Sequence, residues 1–205
     1  KKPAGKAEYK TALLRELGLA TDRDVPLVGV VSRLWEQKGL DLAVSVLPKF
    51  LRKDSLQFVL LGSGDAWLEN EFKRLAVDFP QLCAVRIGYD NGLSHRIEAG
   101  CDFFLMPSRF EPCGLNQMYS MAYGTLPIVR ATGGLADTVS GWDGKKKGTG
   151  IIFEHADQGG IEWALNRALE LYQQPATYRS LQKTAMAAEF SWAKSAEAHL
   201  ECYLS

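Results

Sequence analysis

Apolar runs of strand length that do not alternate with polar residues leave this chain few folds to choose from. Pro26–Ser32 reads PLVGVVS, Leu56–Leu61 reads LQFVLL and Asp102–Met106 reads DFFLM. Leu126–Arg130 and the short Gly150–Phe153 follow the same habit, whereas Leu82–Ile87 alternates. Strands apolar on both faces belong in a parallel sheet covered on both sides. The segments between them carry helical periodicity: Ala7–Leu17, Lys38–Leu51, Asp65 to about Phe79, His95–Ala99, Gly114–Tyr123, a helix beginning at Gly134–Val139, and Gly160–Tyr172. Pro175 breaks the last of these, and the remainder reads as helix. Strands alternating with helices define an α/β, doubly wound fold with a mostly parallel sheet of about six strands. A chain of 205 residues, 46% apolar and 23% charged, suits one domain with a sizeable core.

Charge and cysteine usage exclude several functions. The 24 basic residues balance 24 acidic ones, without the basic excess of a nucleic-acid binder. No apolar run reaches the length of a membrane span. Cys83, Cys101, Cys113 and Cys202 show no C-x-x-C pair, so zinc and thioredoxin-like readings fail. A disulfide scaffold is not suggested, and a reducing compartment is the simpler expectation. His95, His155 and His199 are scattered without metal-ligand spacing. The chain opens at Lys1 on a basic stretch with no signal-peptide core, and the expectation is a piece of a larger polypeptide.

In doubly wound folds ligands bind outside the carboxyl ends of the strands. Arg33 and Lys38 follow the first strand and can reach one anion such as a diphosphate, although spacing alone favours a solvated basic loop. Gly62–Ser63–Gly64 follows the second strand, allowing either a close backbone approach or a plain turn; it lacks the full dinucleotide fingerprint. Tyr89 after the third strand offers a ring to a flat ligand or packs at a rim. The segment Pro107–Gln117, PSRFEPCGLNQ, is the most informative. It sets Glu111 just before a helix start, and Gly114, Leu115 and Asn116 present amides there, ready for phosphate. Cys113 has no histidine near in sequence to activate it and is not read as a nucleophile. Thr132, Gly133 and Gly134 open a further helix, by close ligand approach or as an ordinary turn. Trp35 and Trp142 lie in loops where a sugar could stack, whereas Trp163 and Trp192 read as core or interdomain contacts. The glycine- and lysine-rich loop Ser140–Thr149 is expected to be mobile.

These pieces together resemble the C-terminal domain of bacterial glycogen synthases and plant starch synthases, retaining glucosyltransferases of the two-domain GT-B architecture. The matching stretches are SRLWEQKGLDL (32–42), LLGSGD (60–65), IGYD (87–90), PSRFEPCGLNQMYSMAYGTLPIVRATGGLADTV (107–139) and GTGIIFE (148–154). The resemblance implies a Rossmann-like domain, the C-terminal half of a GT-B fold, that uses ADP-glucose to extend an α-1,4-glucan at its non-reducing end. It implies that Arg33 and Lys38 bind the donor diphosphate and that Glu111 is the essential acidic residue at the donor glucose. It assigns Cys113, Gly114, Leu115, Asn116 and Gln117 to the sugar and phosphates, Tyr89 to the adenine, and Thr132, Gly133 and Gly134 to the glycine motif beside the donor. Gly62 joins this donor-binding set.

The resemblance further implies no cofactor or metal, no nucleic-acid or membrane partner, and a setting in bacterial cytoplasm or plastid stroma. The acceptor glucan would bind through an N-terminal domain not contained in these residues, on which the helices at about 176–205 would pack. Three positions depart from the pattern. Ala131 stands where Lys or Arg often begins the glycine motif, Asn116 where many bacterial members have Thr, and Tyr119 where the wider superfamily often has a second carboxylate. Alternatives are a stand-alone nucleotide-sugar-binding module and a UDP-glucose-dependent transferase of the same architecture.

Overall fold

Both faces of each central strand are buried, which explains why the apolar runs do not alternate. The computed structural model describes residues 5–145 and 147–204. Strands β1 (Leu27–Val31), β2 (Gln57–Gly62), β3 (Cys83–Ile87), β4 (Phe103–Met106), β5 (Leu126–Arg130) and β6 (Ile151–Phe153) form one sheet. Its order is β3-β2-β1-β4-β5-β6, and every pairing is parallel. Val28, Val30, Phe58, Leu60, Phe103 and Leu105 face one apolar layer. Leu27, Val59, Leu61 and Phe104 face the other, formed with Leu13, Leu14, Leu17, Leu93 and Ile97. The alternating pattern of Leu82–Ile87 marks the edge strand β3, where Arg86 is exposed.

The helices follow the sequence pattern with informative shifts. They are α1 (Lys6–Leu17), α2 (Leu40–Leu51), α3 (Ala66–Asp78), α4 (Asn91–Gly100), α5 (Asn116–Ala122), α6 (Gly133–Thr138), α7 (Gln158–Tyr172), α8 (Pro175–Ala187) and α9 (Trp192–Leu204). The helix expected from Lys38 begins at Leu40 instead, after a single 3-10 turn over Glu36–Lys38. Gly39 separates the two with φ 66°, and a Cβ there would lie 2.1 Å from the Pro107 carbonyl oxygen. The helix expected over His95–Ala99 starts earlier, because the Asp90 carboxylate accepts from the Leu93 amide and caps it. Helix α5 begins at Asn116, two residues later than expected.

The described residues of the Ser140–Thr149 loop, which was expected to be mobile, are linked by hydrogen bonds. Gly141 bridges to Gly150, and the Asp143 carboxylate accepts from the amides of Lys145 and Lys147. Trp142 is not a sugar platform. It is buried, with the Arg167 guanidinium 4.1 Å from its ring centroid. Trp163 and Trp192 are exposed in this domain, so neither belongs to its core. Residues 176–205 were expected to pack on a further domain; the described ones, which leave out Ser205, differ in burial within this chain. Helix α8 buries Tyr178, Leu181, Gln182 and Ala185 within this domain, whereas α9 leaves Trp192, Leu200, Tyr203 and Leu204 exposed. No described helix is long and apolar enough to cross a membrane.

Candidate active site

The strand order reverses between β1 and β4, which opens a crevice at their carboxyl ends. A cleft of about 350 Å³ lies there. Val31, Ser32 and Arg33 come from the end of β1, and Met106, Pro107 and Ser108 from the end of β4. Lys38, Glu111, Gly114, Leu115 and Asn116 complete the polar wall. The Asn116 side chain donates to the Val31 carbonyl at 2.9 Å and so ties α5 to β1 across the crevice.

Arg33 is exposed beside a fully buried neighbour, Leu34. The backbone of Leu34 pairs with the Ser63 carbonyl and the Asp65 amide, so the Arg33 turn is pinned to the end of β2. Lys38 stands at the end of the 3-10 turn. Its Nζ lies 2.5 Å from Glu111 Oε2, and Ser108 Oγ donates to the same oxygen at 3.1 Å. Glu111 is buried at 7% exposure, a burial tolerable for a carboxylate because these two donors hold it. Its Oε1 makes no hydrogen bond among the described residues.

The loop carrying Glu111 is fixed through its carbonyls. Arg130 donates to the carbonyls of Ser108 and Arg109, and Gln37 Nε2 donates to that of Phe110 at 2.9 Å. The Gly134 amide donates to the carbonyl of Glu111 at 3.1 Å. Gln117 Nε2 donates to the carbonyls of Cys113 and Gly114 at 3.2 and 3.1 Å. The Arg109 guanidinium grips both oxygens of Asp41 at 2.7 Å and reaches the Glu36 carbonyl. Its hydrogen bonds hold the Asp41 carboxyl below the ordinary carboxylate range. A loop held at so many points is preorganised before any ligand arrives.

A second recess of about 340 Å³ adjoins the cleft and shares Val31, Ser32, Arg33 and Asn116 with it. Gly62, Ser63, Gly88 and Tyr89 form its outer wall, and Tyr89 is 89% exposed at the rim. His95, Glu98 and Tyr119 also line it.

The predicted residues thus divide. Arg33, Lys38, Glu111, Gly114, Leu115 and Asn116 meet in the cleft, and Gly62 and Tyr89 in the recess. Cys113, Gln117, Thr132, Gly133 and Gly134 line neither. Gln117 is fully buried under the loop it braces, and Cys113 Sγ is exposed beside the Gly114 carbonyl. Thr132 precedes α6, and Gly133 and Gly134 press on the loop backbone. Added Cβ atoms there would lie 2.2 Å from the Glu111 carbonyl oxygen and 2.0 Å from that of Cys113. Trp35 is half exposed and lies outside both walls. Sequence reasoning missed Gln37, Asp41, Ser108, Arg109 and Arg130. Four of them sit inside the quoted SRLWEQKGLDL and PSRFEP stretches, and charged residues beside a glycine- and proline-rich loop were the available signal. Cys83 and Cys101 are buried, and burial pushes both thiols up, that of Cys83 to about 12. No described group of His, Cys, Asp and Glu is arranged to hold a metal ion.

Fold and cleft together define a doubly wound α/β domain with a cation-bearing, preorganised crevice at its topological switch point. The chain belongs to the glycosyl transferases group 1 family, whose model matches residues 18–185. It is 53% identical to a glycogen synthase of Anaeromyxobacter sp. (strain Fw109-5) over 98% of its own length and 42% of the relative's. It is 47% identical to a glycogen synthase of Rhodospirillum rubrum over 97% of its length and 41% of that protein. The solved catalytic domain of starch synthase IV from Arabidopsis thaliana, bound to ADP and acarbose, is 39% identical with a TM-score of 0.88. That match covers 98% of this chain and 43% of the plant one. The chain therefore spans well under half the length of these relatives.

Proposed function

We propose that this chain is the donor-binding half of an ADP-glucose-dependent glucan synthase, which transfers glucose with retention to the non-reducing end of an α-1,4-glucan. The observation that carries the reading is the convergence of Arg33 and Lys38 on one cleft together with the held carboxylate of Glu111, to which Lys38 is directly paired. Two cations in a preorganised cleft suit a diphosphate leaving group. Negative charge grows on that group as the glucose bond breaks. Each well-placed donor to developing charge contributes roughly 3–4 kcal/mol in comparable systems. The amides of Gly114 and Leu115 have no acceptor among the described residues and would join Arg33 and Lys38.

Glu111 would orient the glucose hydroxyls through Oε1 and set negative charge beside a cationic sugar. Tyr89 and Gly62 would flank the adenine. Gln117, Gly133 and Gly134 brace the loop in this reading, and Cys113 and Thr132 stand within and beside it. No metal is required, because the side-chain cations supply the charge.

The glucan acceptor would bind through an N-terminal partner domain, and the exposed face of α9 would pack on that domain. Its closure over the cleft would exclude water. The bacterial relatives favour a bacterial setting. Calorimetric titration of this chain with ADP-glucose and then UDP-glucose, without added metal, tests the reading. Selective binding of ADP-glucose is expected. Binding of neither sugar nucleotide, or preference for UDP-glucose, would overturn it.

A further inference from the structure

Glu98 is a second buried carboxylate in the ligand-facing wall, and nothing in the donor reading above uses it. It is 2% exposed and sits on α4, where it lines the recess beside the cleft. A buried carboxylate needs partners. Its side chain has one described partner, His95, whose Nδ1 lies 3.2 Å from Oε2. Oε1 makes no hydrogen bond among the described residues, yet it is not among the sealed, unpartnered side-chain atoms. Glu98 itself lines the recess, so this uncommitted oxygen belongs to a residue of the recess wall. Asp90, the other carboxylate of this wall, is committed to capping α4 through the Leu93 amide. Burial pushes the Glu98 carboxyl up, and the hydrogen bond and charge of His95 work against that rise.

The position of the recess identifies what this oxygen meets. Cleft and recess share Arg33 and Asn116. A nucleotide whose diphosphate lies on Arg33 continues into the recess with the group bonded to that diphosphate, its ribose. An ionised carboxylate only accepts hydrogen bonds, and the ribose 2′- and 3′-hydroxyls are donors. We propose that Glu98, positioned by His95, recognises the ribose hydroxyls of the bound nucleotide. This rests on the donor-site reading and adds a specificity-determining residue to it.

The test is calorimetric titration of the unaltered chain, Glu98→Gln and Glu98→Ala with ADP, 2′-deoxy-ADP, 3′-deoxy-ADP and IDP. Glu98→Gln keeps the side-chain volume, so the test stands if Glu98→Ala melts early. The unaltered chain should bind ADP about tenfold or more tightly than at least one deoxy analogue, as expected for a hydrogen bond to a charged group. Both variants should shrink that ratio, Glu98→Ala to near one, and leave the ratio of ADP to IDP unchanged. ADP binding with the deoxy ratio intact in the variants would overturn this inference alone. A variant that instead erases discrimination against IDP would assign Glu98 to the exocyclic amine of the base and overturn it too. No ADP binding by the unaltered chain would overturn the donor-site reading itself.

Discussion

Lys38 and Glu111 form a close ion pair, Nζ to Oε2 at 2.5 Å, although 73 positions separate them in the chain. Their side chains are 18% and 9% exposed, so solvent screens the pair only weakly. The pair neutralises two groups that would otherwise be costly to bury side by side with no ligand present. It also sets a cation and a carboxylate at fixed separation on the cleft wall, the arrangement on which the proposed donor site rests.

Removing either partner has a distinct signature. Lys38→Ala should weaken ADP and ADP-glucose together by about 1.5–3 kcal/mol, the range for a hydrogen bond to a charged group. Titration calorimetry on this chain reads it, and unchanged ADP affinity would exclude the diphosphate role. Glu111→Gln should leave ADP affinity nearly intact. In a polypeptide that also carries the acceptor half, it should cut glucosyl transfer by about two to three orders of magnitude.

The fold was legible because its signal is local and repetitive. Unalternating runs such as LQFVLL and DFFLM named their own strands, and Asp65 named its own helix start, since it does accept from the amides of Trp67 and Leu68. The cleft was legible only in part. Arg33, Lys38 and Glu111 carry charge next to glycine and proline, a pattern visible in one dimension. The contributions of Arg130 and Gln37 depend on reaching the carbonyls of a distant loop, and nothing local in sequence announces that. Trp142 shows the opposite failure. A tryptophan in a polar loop reads as exposed, but Arg167 from α7 covers it.

The Arg109–Asp41 pair makes the loop acid-sensitive. A carboxyl held below its ordinary value of 3.8 stabilises the fold above that value and loses its contribution as pH falls through the folded value. Both side chains are close to one-third exposed, so the pair contributes about 1 kcal/mol after screening. Asp41→Asn should lower stability by about that amount at pH 7 and converge with the unaltered chain at a pH well below 3.8, once the folded Asp41 carboxyl has also taken up its proton. Urea titrations at the two pH values measure it; an equal gap at both would disprove the ionic origin.

Lys10 and Asp102 tie α1 beneath the sheet. Nζ lies 2.7 Å from Asp102 Oδ2, which also accepts from the Leu27 amide at 2.8 Å. Burial alone would lower the Lys10 pKa, but the charge and hydrogen bond of Asp102, with help from Tyr172, raise it. Stability from this lysine is therefore present below its ordinary value of 10.5 and is lost as pH rises through the higher folded value. Lys10→Met should cost about 3–5 kcal/mol at pH 7, because it strands a buried carboxylate. Lys10→Met with Asp102→Asn should cost less than the two single changes summed, since neither half of the pair is left without the other. Strict additivity in denaturant titrations would refute the coupling.

Gly134 supplies the sharpest separation of positioning from contact. It lies outside the cleft wall, yet its amide holds the Glu111 carbonyl at 3.1 Å, and an added Cβ would lie 2.0 Å from the Cys113 carbonyl oxygen. That neighbour is backbone, so the clash can be relieved only by moving the loop that carries Glu111. Gly134→Ala should destabilise the chain by about 1–3 kcal/mol and weaken ADP without removing any ligand-contacting group. Gly141→Ala is the matched control, because an added Cβ there finds its nearest neighbour at 3.7 Å, at Ile152. The control should bind ADP as the unaltered chain does and melt within a degree or two of it. ADP affinity left intact in Gly134→Ala, measured in the same titration series, would mean that the loop absorbs the added carbon without displacing Glu111.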